Sequence, residues 1–510
     1  MKARHDIQNR RSDLLPAVAL PILLGVALSL TLPPLTTGAL SPVVLAALLV
    51  HAARAPTPRG VAGRLWWGVF AMTAVHLWWL TDFLGNIFHA PPAGVLAGPL
   101  YALEAGFFAA MAWLVAHVIR TPTARLWALA GGWGAVEFAR FLGPLAFPWP
   151  TLGYALLPTP LIQVADLGGV LLASFLILAL AAALGEAWTR HRWPPLAVMA
   201  LVWAAALGYG LTRVPGQGPE QAIRVTRQTF GAFERASGAL SPEQQQEAQV
   251  RASAARRPDE VLVWSETALD ARSAVPQRLP VFPGPGISGL GVARLPQNPN
   301  LNGAVAVDAA GQVTSFSVKA KLVPFGEFFP LHAQVPALYA PIERMIGFPL
   351  QVFAPARTVV PLTLGGVQYG AYICYDSVFP WVARQLVLQG AQVLVNPSND
   401  GWYTGWGTRQ HFWMGRVRAI EQRRWLVRSV NEGVAGSVND LGQPVDLLTA
   451  GEGIQTRRVV VRVLNRRSLY SVVGDWPALG LFAALLVWGL GMDLRSRSGA
   501  STGARLNAWE

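Results

Sequence analysis

The chain has 510 residues, of which 52% are hydrophobic and only 14% charged, and its formal net charge is +13. This composition excludes an ordinary soluble globular protein and indicates a membrane protein. The length leaves room for two or three domains. Nucleic-acid binding is disfavoured as the reason for the positive charge, because the basic residues are split between short loops and form no single stripe.

Long apolar runs define the predicted membrane part. Eight runs are long enough, or nearly so, to cross a hydrocarbon core of about 30 Å. They lie at 14–32, 39–53, 65–84, 94–119, 126–142, 160–188, 194–212 and 476–492. The first run is too long for a cleavable signal, and no small-residue cleavage site follows it. We therefore predict a polytopic α-helical membrane domain followed by a soluble-like domain and one more helix. The predicted boundaries are 1–213, 214–474, 475–493 and a tail over 494–510.

Lys and Arg residues alternate between successive loops of the predicted membrane part. The N-terminal tail and every second loop after it carry Lys or Arg, and the loops between them carry none. The C-terminal tail carries Arg495, Arg497 and Arg505. Because positive residues concentrate on the cytoplasmic side, both termini are predicted to be cytoplasmic and the domain after the seventh span to lie outside.

Some ionisable residues fall inside the predicted spans, where charge is costly. Glu104 lies well inside the fourth span, and Glu137 and Arg140 lie in the fifth. Such groups either serve function or bridge helices, and the sequence leaves both roles open.

Residues 215–474 change to short β-rich runs separated by Gly, Pro, Asn and Asp. Strands are predicted at 222–226, 260–264, 303–307, 312–318, 358–363, 367–373, 392–396, 426–430, 434–438 and 458–463. Helices are predicted at 241–256, 378–389 and 409–423. Strands interleaved with helices predict a layered α/β domain. Residues 438–443 are predicted to form a hairpin turn.

Three predicted strand ends carry reactive side chains. One buried strand stops at Glu266, another run leads into Lys319 and Glu327, and a third ends at Cys374, the only cysteine in the chain. A lone cysteine is more often a small buried hydrophobe than a nucleophile. With a carboxylate as general base and an ammonium to stabilise an oxyanion, it also suits nucleophilic catalysis. None of the eight His residues lies at a predicted strand end, which disfavours a Cys/His dyad.

Several motifs resemble the apolipoprotein N-acyltransferase family, the membrane-bound branch of the nitrilase/carbon–nitrogen hydrolase superfamily. Lys-x-x-Leu-Val-Pro-Phe-Gly-Glu is the most specific of them. The motifs lie at 319–327, 373–376, 399–402, 410–412, 418–421, 147–149 and 152–154. The resemblance covers essentially the whole chain, and it implies an extracytoplasmic α-β-β-α sandwich of the nitrilase type.

The resemblance also implies an activity. An acyl chain would pass from a membrane phospholipid to Cys374 as a thioester, and then to the α-amino group of the diacylglyceryl-cysteine that begins an apolipoprotein. Glu266 would be the general base and acid, and Lys319 the oxyanion and orientation group. Glu327, Tyr375 and Asp376 would support them. No cofactor or metal is implied, and the enzyme would lie in the bacterial inner membrane with its catalytic domain on the periplasmic side.

A thioester must be guarded from water, and apolar loops are expected to do this. The predicted lipid-access residues are Phe328, Phe329, Trp402, Tyr403 and Trp406. The alternative is that these aromatic residues belong to an ordinary domain core.

The match departs from the family pattern in a few places. Asp376 stands where Glu is usual, and Lys321 stands where the family often has His. The segments 222–232 and 280–302 also diverge. Two other functions remain open at this stage. One is a membrane-anchored amidase or nitrilase that hydrolyses a C–N bond, and the other is a transporter or scaffold with a degenerate domain.

Overall fold

A computed structural model describes residues 17–87, 91–230, 241–294, 298–346 and 353–506. The chain forms two compact units. The first holds the residues before Phe141, those from Pro148 to Thr212 and those from Asp475 onward; the second holds Phe141–Phe147 and Arg213–Gly474. The predicted boundaries of the membrane domain stay a prediction.

The first unit is helical throughout its longer elements. Its helices are α1 Ala17–Ser29, α2 Ser41–Ala53, α3 Pro58–His76, α4 Trp79–Ile87, α5 Ala97–Val118, α6 Pro122–Ala139, α7 Ala165–Arg190, α8 Pro194–Leu211 and a C-terminal helix Trp476–Leu506. Proline at the first or second position of α2, α3, α6 and α8 fits these starts, because the first turn needs no proline N–H.

Four helical segments of the described chain are long and apolar enough to cross a membrane. They are Pro91–Val118, Pro160–Arg190, Pro194–Leu211 and Trp476–Ser498. Two shorter apolar helices, Ala17–Ser29 and Gly38–Ala53, coincide with the first two predicted spans. The third predicted span, 65–84, is interrupted, because α3 ends at His76 and α4 begins at Trp79. The count of eight spans stays a prediction.

The polar groups of the predicted spans contact one another. Arg140, which follows α6, donates to Glu104 of α5 at 2.6 Å. Glu137 accepts hydrogen bonds from the indole N–H of Trp133 and from the main-chain N–H of Leu152. These contacts are those of structural bridges between segments, the second of the two roles that the sequence left open.

The second unit is built on one sheet of thirteen strands. The strands are β1 Glu220–Gln228, β2 Val261–Val263, β3 Leu269–Arg272, β4 Gly286–Ala293, β5 Leu301–Val307, β6 Val313–Val318, β7 Leu362–Leu364, β8 Val367–Ala371, β9 Val393–Asn399, β10 Leu426–Asn431, β11 Ala435–Val438, β12 Pro444–Leu448 and β13 Gln455–Arg462. Its helices are α9 Pro242–Ser253, α10 Pro336–Ile346, α11 Pro380–Leu388, α12 Trp406–Gln422 and α13 Leu469–Val473.

The main path through the sheet runs β6-β5-β4-β2-β1-β10-β9-β8-β7. The two end strands meet, since the Thr314 hydroxyl donates to the main-chain oxygen of Thr363 at 2.9 Å and the Thr363 N–H donates to Ser315 at 3.0 Å. The sheet therefore closes on itself, and its opposite sides supply the two β-layers of the predicted sandwich. This confirms the predicted fold class.

Several predicted details of the second unit are confirmed. The turn at 438–443 joins β11 to β12, which pair antiparallel through Val438 and Pro444. The three predicted helices correspond to α9, α11 and α12. Strands β3, β4 and β12 and helices α10 and α13 were not predicted.

Strand β4 was not predicted because its sequence is rich in glycine, which is depleted in strands. In the folded chain two of these glycines permit close packing. A Cβ on Gly289 would lie 2.4 Å from the main-chain oxygen of Ser265 and 2.6 Å from Cα of Glu266. A Cβ on Gly286 would lie 2.3 Å from the oxygen of Leu262. The glycines thus bring β4 directly against the segment that carries Glu266.

Candidate active site

Glu266, Lys319 and Cys374 follow three strands that run in the same direction. Strand β8 is parallel to β9, which continues through β10 and β1 to β2 in parallel pairs. Strand β2 is parallel to β4, and two antiparallel steps from β4 through β5 make β6 parallel to it as well. The carboxyl ends of β2, β6 and β8 therefore face the same edge of the sheet, which brings the three predicted residues toward one place.

Lys319 comes directly after β6, and its side chain is 1% exposed. Its Nζ atom donates to Oε1 of Glu266 at 3.0 Å and to Oε1 of Glu327 at 2.9 Å. An ammonium has three donors, so one N–H remains after these two bonds. Glu327 is fixed from its other side, since its Oε2 accepts the main-chain N–H of Val323 at 2.8 Å.

Asn302, on β5, is a member of this cluster that the sequence did not reveal. Its Nδ2 atom donates to Oε1 of Glu266 at 2.8 Å and to Oε1 of Glu327 at 3.0 Å. The main-chain N–H of Lys319 donates to the main-chain oxygen of Asn302 at 2.8 Å. The pairing of β5 with β6 places Asn302 here. No local motif marks an asparagine in a strand, so only the register could have found it.

The charges in the cluster depend on one another. Burial alone lowers the pKa of Lys319, but the carboxylates of Glu266 and Glu327 outweigh it and hold this pKa well above its ordinary value. Lys319 is therefore a cation at neutral pH. Among the residues that the structure describes, Oε2 of Glu266 accepts no hydrogen bond. This oxygen is therefore not engaged by the other members of the cluster.

Cys374 opens a single 3-10 turn, Cys374–Val378, immediately after β8. Its φ is +47°, a left-handed conformation that costs a residue with a side chain on the order of 1–3 kcal/mol. The residue is 3% exposed, and its Sγ atom lies 3.8 Å from the main-chain oxygen of Asn399. Strain of this kind collects where the backbone must present a side chain at a sharp turn.

The thiol is protonated in its resting environment. Burial, followed by the nearby charge of Glu266, raises the pKa of Cys374 well above its usual value, and the Lys319 ammonium opposes that rise without cancelling it. A protonated thiol is a weak nucleophile. Chemistry at Cys374 therefore needs a base at the moment of attack.

A buried histidine supports the Cys374 turn, and the sequence analysis missed it. Nε2 of His411, on α12, lies 3.1 Å from the Cys374 oxygen and 2.7 Å from the Ser377 hydroxyl. Its Nδ1 lies 2.9 Å from Oδ1 of Asp400, which Arg428 also contacts at 2.7 Å. His411 lies inside a helix, so the search for strand-end histidines excluded it. Its neighbourhood in the motifs at 399–402 and 410–412 was the available signal.

Asp376 accepts hydrogen bonds from the segment that carries Lys319. Its carboxylate accepts the main-chain N–H groups of Lys321 at 2.7 Å, Ala320 at 3.1 Å and Ile373 at 3.0 Å. Burial raises the pKa of Asp376 to about 7, although these hydrogen bonds favour the ionised form. The shorter acid that replaces the usual glutamate thus ties the turn at Cys374 to the loop after β6.

The two lysines on either side of Ala320 have different surroundings. Lys319 points to the carboxylates, whereas Nζ of Lys321 lies 4.8 Å from the centre of the Phe379 ring. The hydroxyl of Tyr375 donates to the main-chain oxygen of Ala146 at 3.2 Å. Tyr375 therefore contacts the Phe141–Phe147 segment of the same unit.

The residues predicted to guard a thioester have mixed surroundings. Phe328 lines a cavity described below, and the Phe329 ring packs edge-on against Tyr339 of α10. Tyr403 packs against His411, with ring centres 5.2 Å apart. Of the two other predicted lipid-access residues, Trp402 lies before α12 and Trp406 is the first residue of α12.

Among the described residues, no group of three His, Cys, Asp or Glu side chains is arranged to hold a metal ion.

Comparison with known families gives two matches along the chain. Residues 24–184 match the apolipoprotein N-acyltransferase N-terminal domain, and residues 286–453 match the carbon–nitrogen hydrolase domain. Solved structures that resemble the second unit include a carbon–nitrogen hydrolase from Helicobacter pylori, at 16% identity and a TM-score of 0.34. That similarity covers 51% of this chain and 94% of that one. An amidase from Nesterenkonia is similar at 18% identity and a TM-score of 0.34, with coverage of 51% of this chain and 95% of that one.

Full-length relatives are more similar. The apolipoprotein N-acyltransferase of Pseudomonas paraeruginosa is 31% identical over 504 residues, which cover 89% of this chain and 94% of that protein. The protein of the same name from Azotobacter vinelandii is 30% identical, with coverage of 93% and 95%. That from Agrobacterium fabrum is 30% identical, with coverage of 76% and 77%. This chain therefore belongs to the apolipoprotein N-acyltransferase family of membrane enzymes.

Proposed function

We propose that this acyltransferase moves a fatty-acyl chain from a membrane phospholipid to the α-amino group of an N-terminal diacylglyceryl-cysteine, through a thioester on Cys374. One observation carries the proposal. The Lys319 ammonium is held between Glu266 and Glu327 at the sheet edge that also bears the strained, buried Cys374. The relatives, which are named for acylation of apolipoproteins, supply the class of acceptor.

In the first half-reaction the Cys374 sulfur attacks an ester carbonyl of the phospholipid. Glu266 takes the thiol proton as the S–C bond forms, because the raised thiol pKa leaves little thiolate beforehand. The remaining N–H of Lys319 stabilises the oxyanion of the tetrahedral intermediate. The C–O bond then breaks, Glu266 returns the proton to the glycerol oxygen, and a lysophospholipid leaves.

In the second half-reaction the free α-amine of the acceptor attacks the thioester. Glu266 accepts a proton from the attacking nitrogen, the C–S bond breaks as the amide forms, and the sulfur regains a proton from Glu266. The base and the acid are thus the same carboxylate in both halves. Glu327 and Asn302 act as positioning residues, since each contacts Glu266 or Lys319 and is proposed to touch no substrate atom.

The proposed setting is the bacterial inner membrane. A seven-span domain over 1–213 and an eighth helix over 475–493 would hold the domain over 214–474 on the periplasmic side, with the tail over 494–510 in the cytoplasm. The alternation of Lys and Arg between loops supports this topology. Both substrates are lipid-anchored, so a tethered domain on their side of the bilayer suits the reaction.

The test uses the fact that the chain has a single thiol. Purified protein is incubated with phospholipid labelled in its acyl chains, and a hydroxylamine-sensitive label on the protein then reports the Cys374 thioester. Cys374→Ser should remove that label while membrane insertion persists. In cells that carry this protein as their only candidate acyltransferase, mass spectrometry should find the lipoprotein N-terminus acylated. A free α-amine there would contradict the proposal.

A further inference from the structure

A small cavity lies in the second unit beside the candidate active site. Its volume is about 270 Å³. Two of its lining residues, Ala320 and Tyr375, directly follow Lys319 and Cys374 in the chain. The other walls include Pro144, Leu322, Phe328 and Phe379. The cavity is therefore apolar on most sides and adjoins both segments that carry reactive groups.

Lys321 is the charged residue in this lining. Its ammonium lies over the rings of Phe379 at 4.8 Å and Trp381 at 5.9 Å, and both contacts are within cation–π range. Among the described residues, no carboxylate lies within ion-pair distance of its Nζ. Asp376 contacts this lysine through the main-chain N–H instead.

An ammonium held at an apolar cavity with no carboxylate within ion-pair distance is poised to bind an anion. Burial lowers the pKa of Lys321, against the opposing charge of Asp376, which shows that the ammonium has lost part of its hydration. An anion that replaces the lost water would restore the balance. Aromatic rings attract the cation but supply no negative charge that would compete with such a ligand.

The two substrates of the proposed reaction differ in whether they carry an anionic group that this ammonium could bind. A glycerophospholipid carries an anionic phosphodiester next to its glycerol. The diacylglyceryl-cysteine acceptor carries an α-amine and no phosphate. A cation at the cavity therefore attracts the donor, whereas the acceptor offers it no phosphate to bind.

The cavity, with a volume of about 270 Å³, has room for a glycerophosphate group. Through Ala320 and Tyr375 the cavity adjoins the segments that carry Lys319 and Cys374. The phosphate and the first ester carbonyl of a glycerophospholipid are separated by the glycerol carbons alone, so a phosphate bound in the cavity keeps that ester near these segments.

We propose that the cavity at Lys321 binds the phosphodiester and glycerol of the phospholipid acyl donor, with Lys321 as the residue that recognises the phosphate. This inference rests on the proposed function. It assigns Lys321 a part in donor selection only. Transfer from the thioester to the acceptor amine does not involve it.

The experiment measures thioester formation on Cys374 in single turnovers, with two donors of the same fatty acid. One donor is a diacyl phospholipid in detergent micelles, and the other is the p-nitrophenyl ester, which has no phosphate. Lys321→Met keeps the apolar stem and removes the charge. Lys321→Arg keeps the charge. Arg278→Met removes one positive charge from an exposed site of the same unit and controls for net charge.

Lys321→Met is expected to slow thioester formation from the phospholipid by about tenfold or more at subsaturating donor, the scale of one lost charge-assisted contact. The rate from the p-nitrophenyl ester should stay within about twofold, Lys321→Arg should retain most of the phospholipid rate, and Arg278→Met should match the unsubstituted protein. Transfer to a lipopeptide from thioester that has already formed should also be unchanged.

Equal losses with both donors would overturn the inference, because they would mean that Lys321→Met damages the site itself. An undiminished phospholipid rate would overturn it as well. If the unsubstituted protein forms a thioester from the p-nitrophenyl ester but from no phospholipid, the proposed function fails first and the inference with it. The two failures are therefore distinguishable.

Discussion

Nε2 of His411 lies 3.1 Å from the main-chain oxygen of Cys374, although 37 residues separate the two in sequence. This contact holds the turn that presents the only thiol of the protein. Because Cys374 has a φ of +47°, the turn is strained and needs support from outside its own segment. Asp400 and Arg428 continue the support behind His411.

His411→Ala should therefore weaken the presentation of Cys374 without removing any reacting group. We expect at least a tenfold slower thioester formation, and a loss of stability on the order of 1–3 kcal/mol for the polar partners left unsatisfied. Single-turnover labelling and thermal unfolding in detergent measure the two effects. His332→Ala, at a half-buried histidine paired with Glu343, should change neither. Unchanged labelling in His411→Ala would contradict the positioning role.

Asn302 should affect thioester formation through its hydrogen bonds to the carboxylates of Glu266 and Glu327. Asn302→Leu removes the donor to Glu266 and Glu327, and we expect about tenfold slower thioester formation with a modest loss of stability. Asn302→Asp should be worse, because it places a third carboxylate against the first two. Undiminished labelling in Asn302→Leu would contradict the positioning role, and equal losses in the two variants would mean that the missing donor matters and the added charge does not. Thioester labelling at a series of pH values makes the comparison.

Lys319→Met should leave the carboxylates of Glu266 and Glu327 without the ammonium that pairs with both of them. Breaking a buried ion pair from one side costs on the order of 3–5 kcal/mol, so this variant should unfold at a clearly lower temperature. Adding Glu327→Gln should recover part of the stability, because one unpaired charge is removed, but should recover no activity. Lys321→Met, at a residue without an ion-pair partner in the described chain, is the control for stability. Recovered activity in the double variant would contradict an oxyanion role for Lys319.

The raised pKa of Asp376 predicts that the stability of the folded protein depends on pH. Burial raises its pKa in the folded protein to about 7 from an ordinary value of 3.8. A raised carboxyl pKa means that the folded state holds the proton more tightly. The stabilisation that Asp376 gives to the folded state is thus fully present below about pH 4, and it is lost as the pH rises through 7. At 1.36 kcal/mol for each pKa unit, the change is on the order of 4 kcal/mol.

Asp376→Asn has no such titration. The stability of the unsubstituted protein relative to Asp376→Asn should therefore fall between pH 4 and pH 8. Thermal unfolding across this range measures it, with Asp259→Asn at a largely exposed carboxylate as the control. A difference that stays constant with pH would show that the backbone N–H groups keep Asp376 ionised throughout.

Much of the site could be predicted from the sequence, because its reactive residues follow β-prone runs and its loop motif is specific. The interpretation of the lone cysteine needed those partners, since packing was the commoner role for such a residue. The choice between Lys319 and Lys321 rested on family spacing alone. The structure gives it a physical basis, since one lysine reaches two carboxylates and the other reaches aromatic rings.

What the sequence by itself determined was the order of apolar runs, the α/β alternation of the second unit and the identity of three strand-end residues, because these depend on periodicity and local motifs. Tertiary structure alone decided the rest. Asn302 joins the site through the pairing of β5 with β6, and His411 reaches Cys374 from a helix. Strand β4 forms because its glycines allow close backbone approach to Glu266. Each depends on contacts between residues far apart in the chain, which no local pattern encodes.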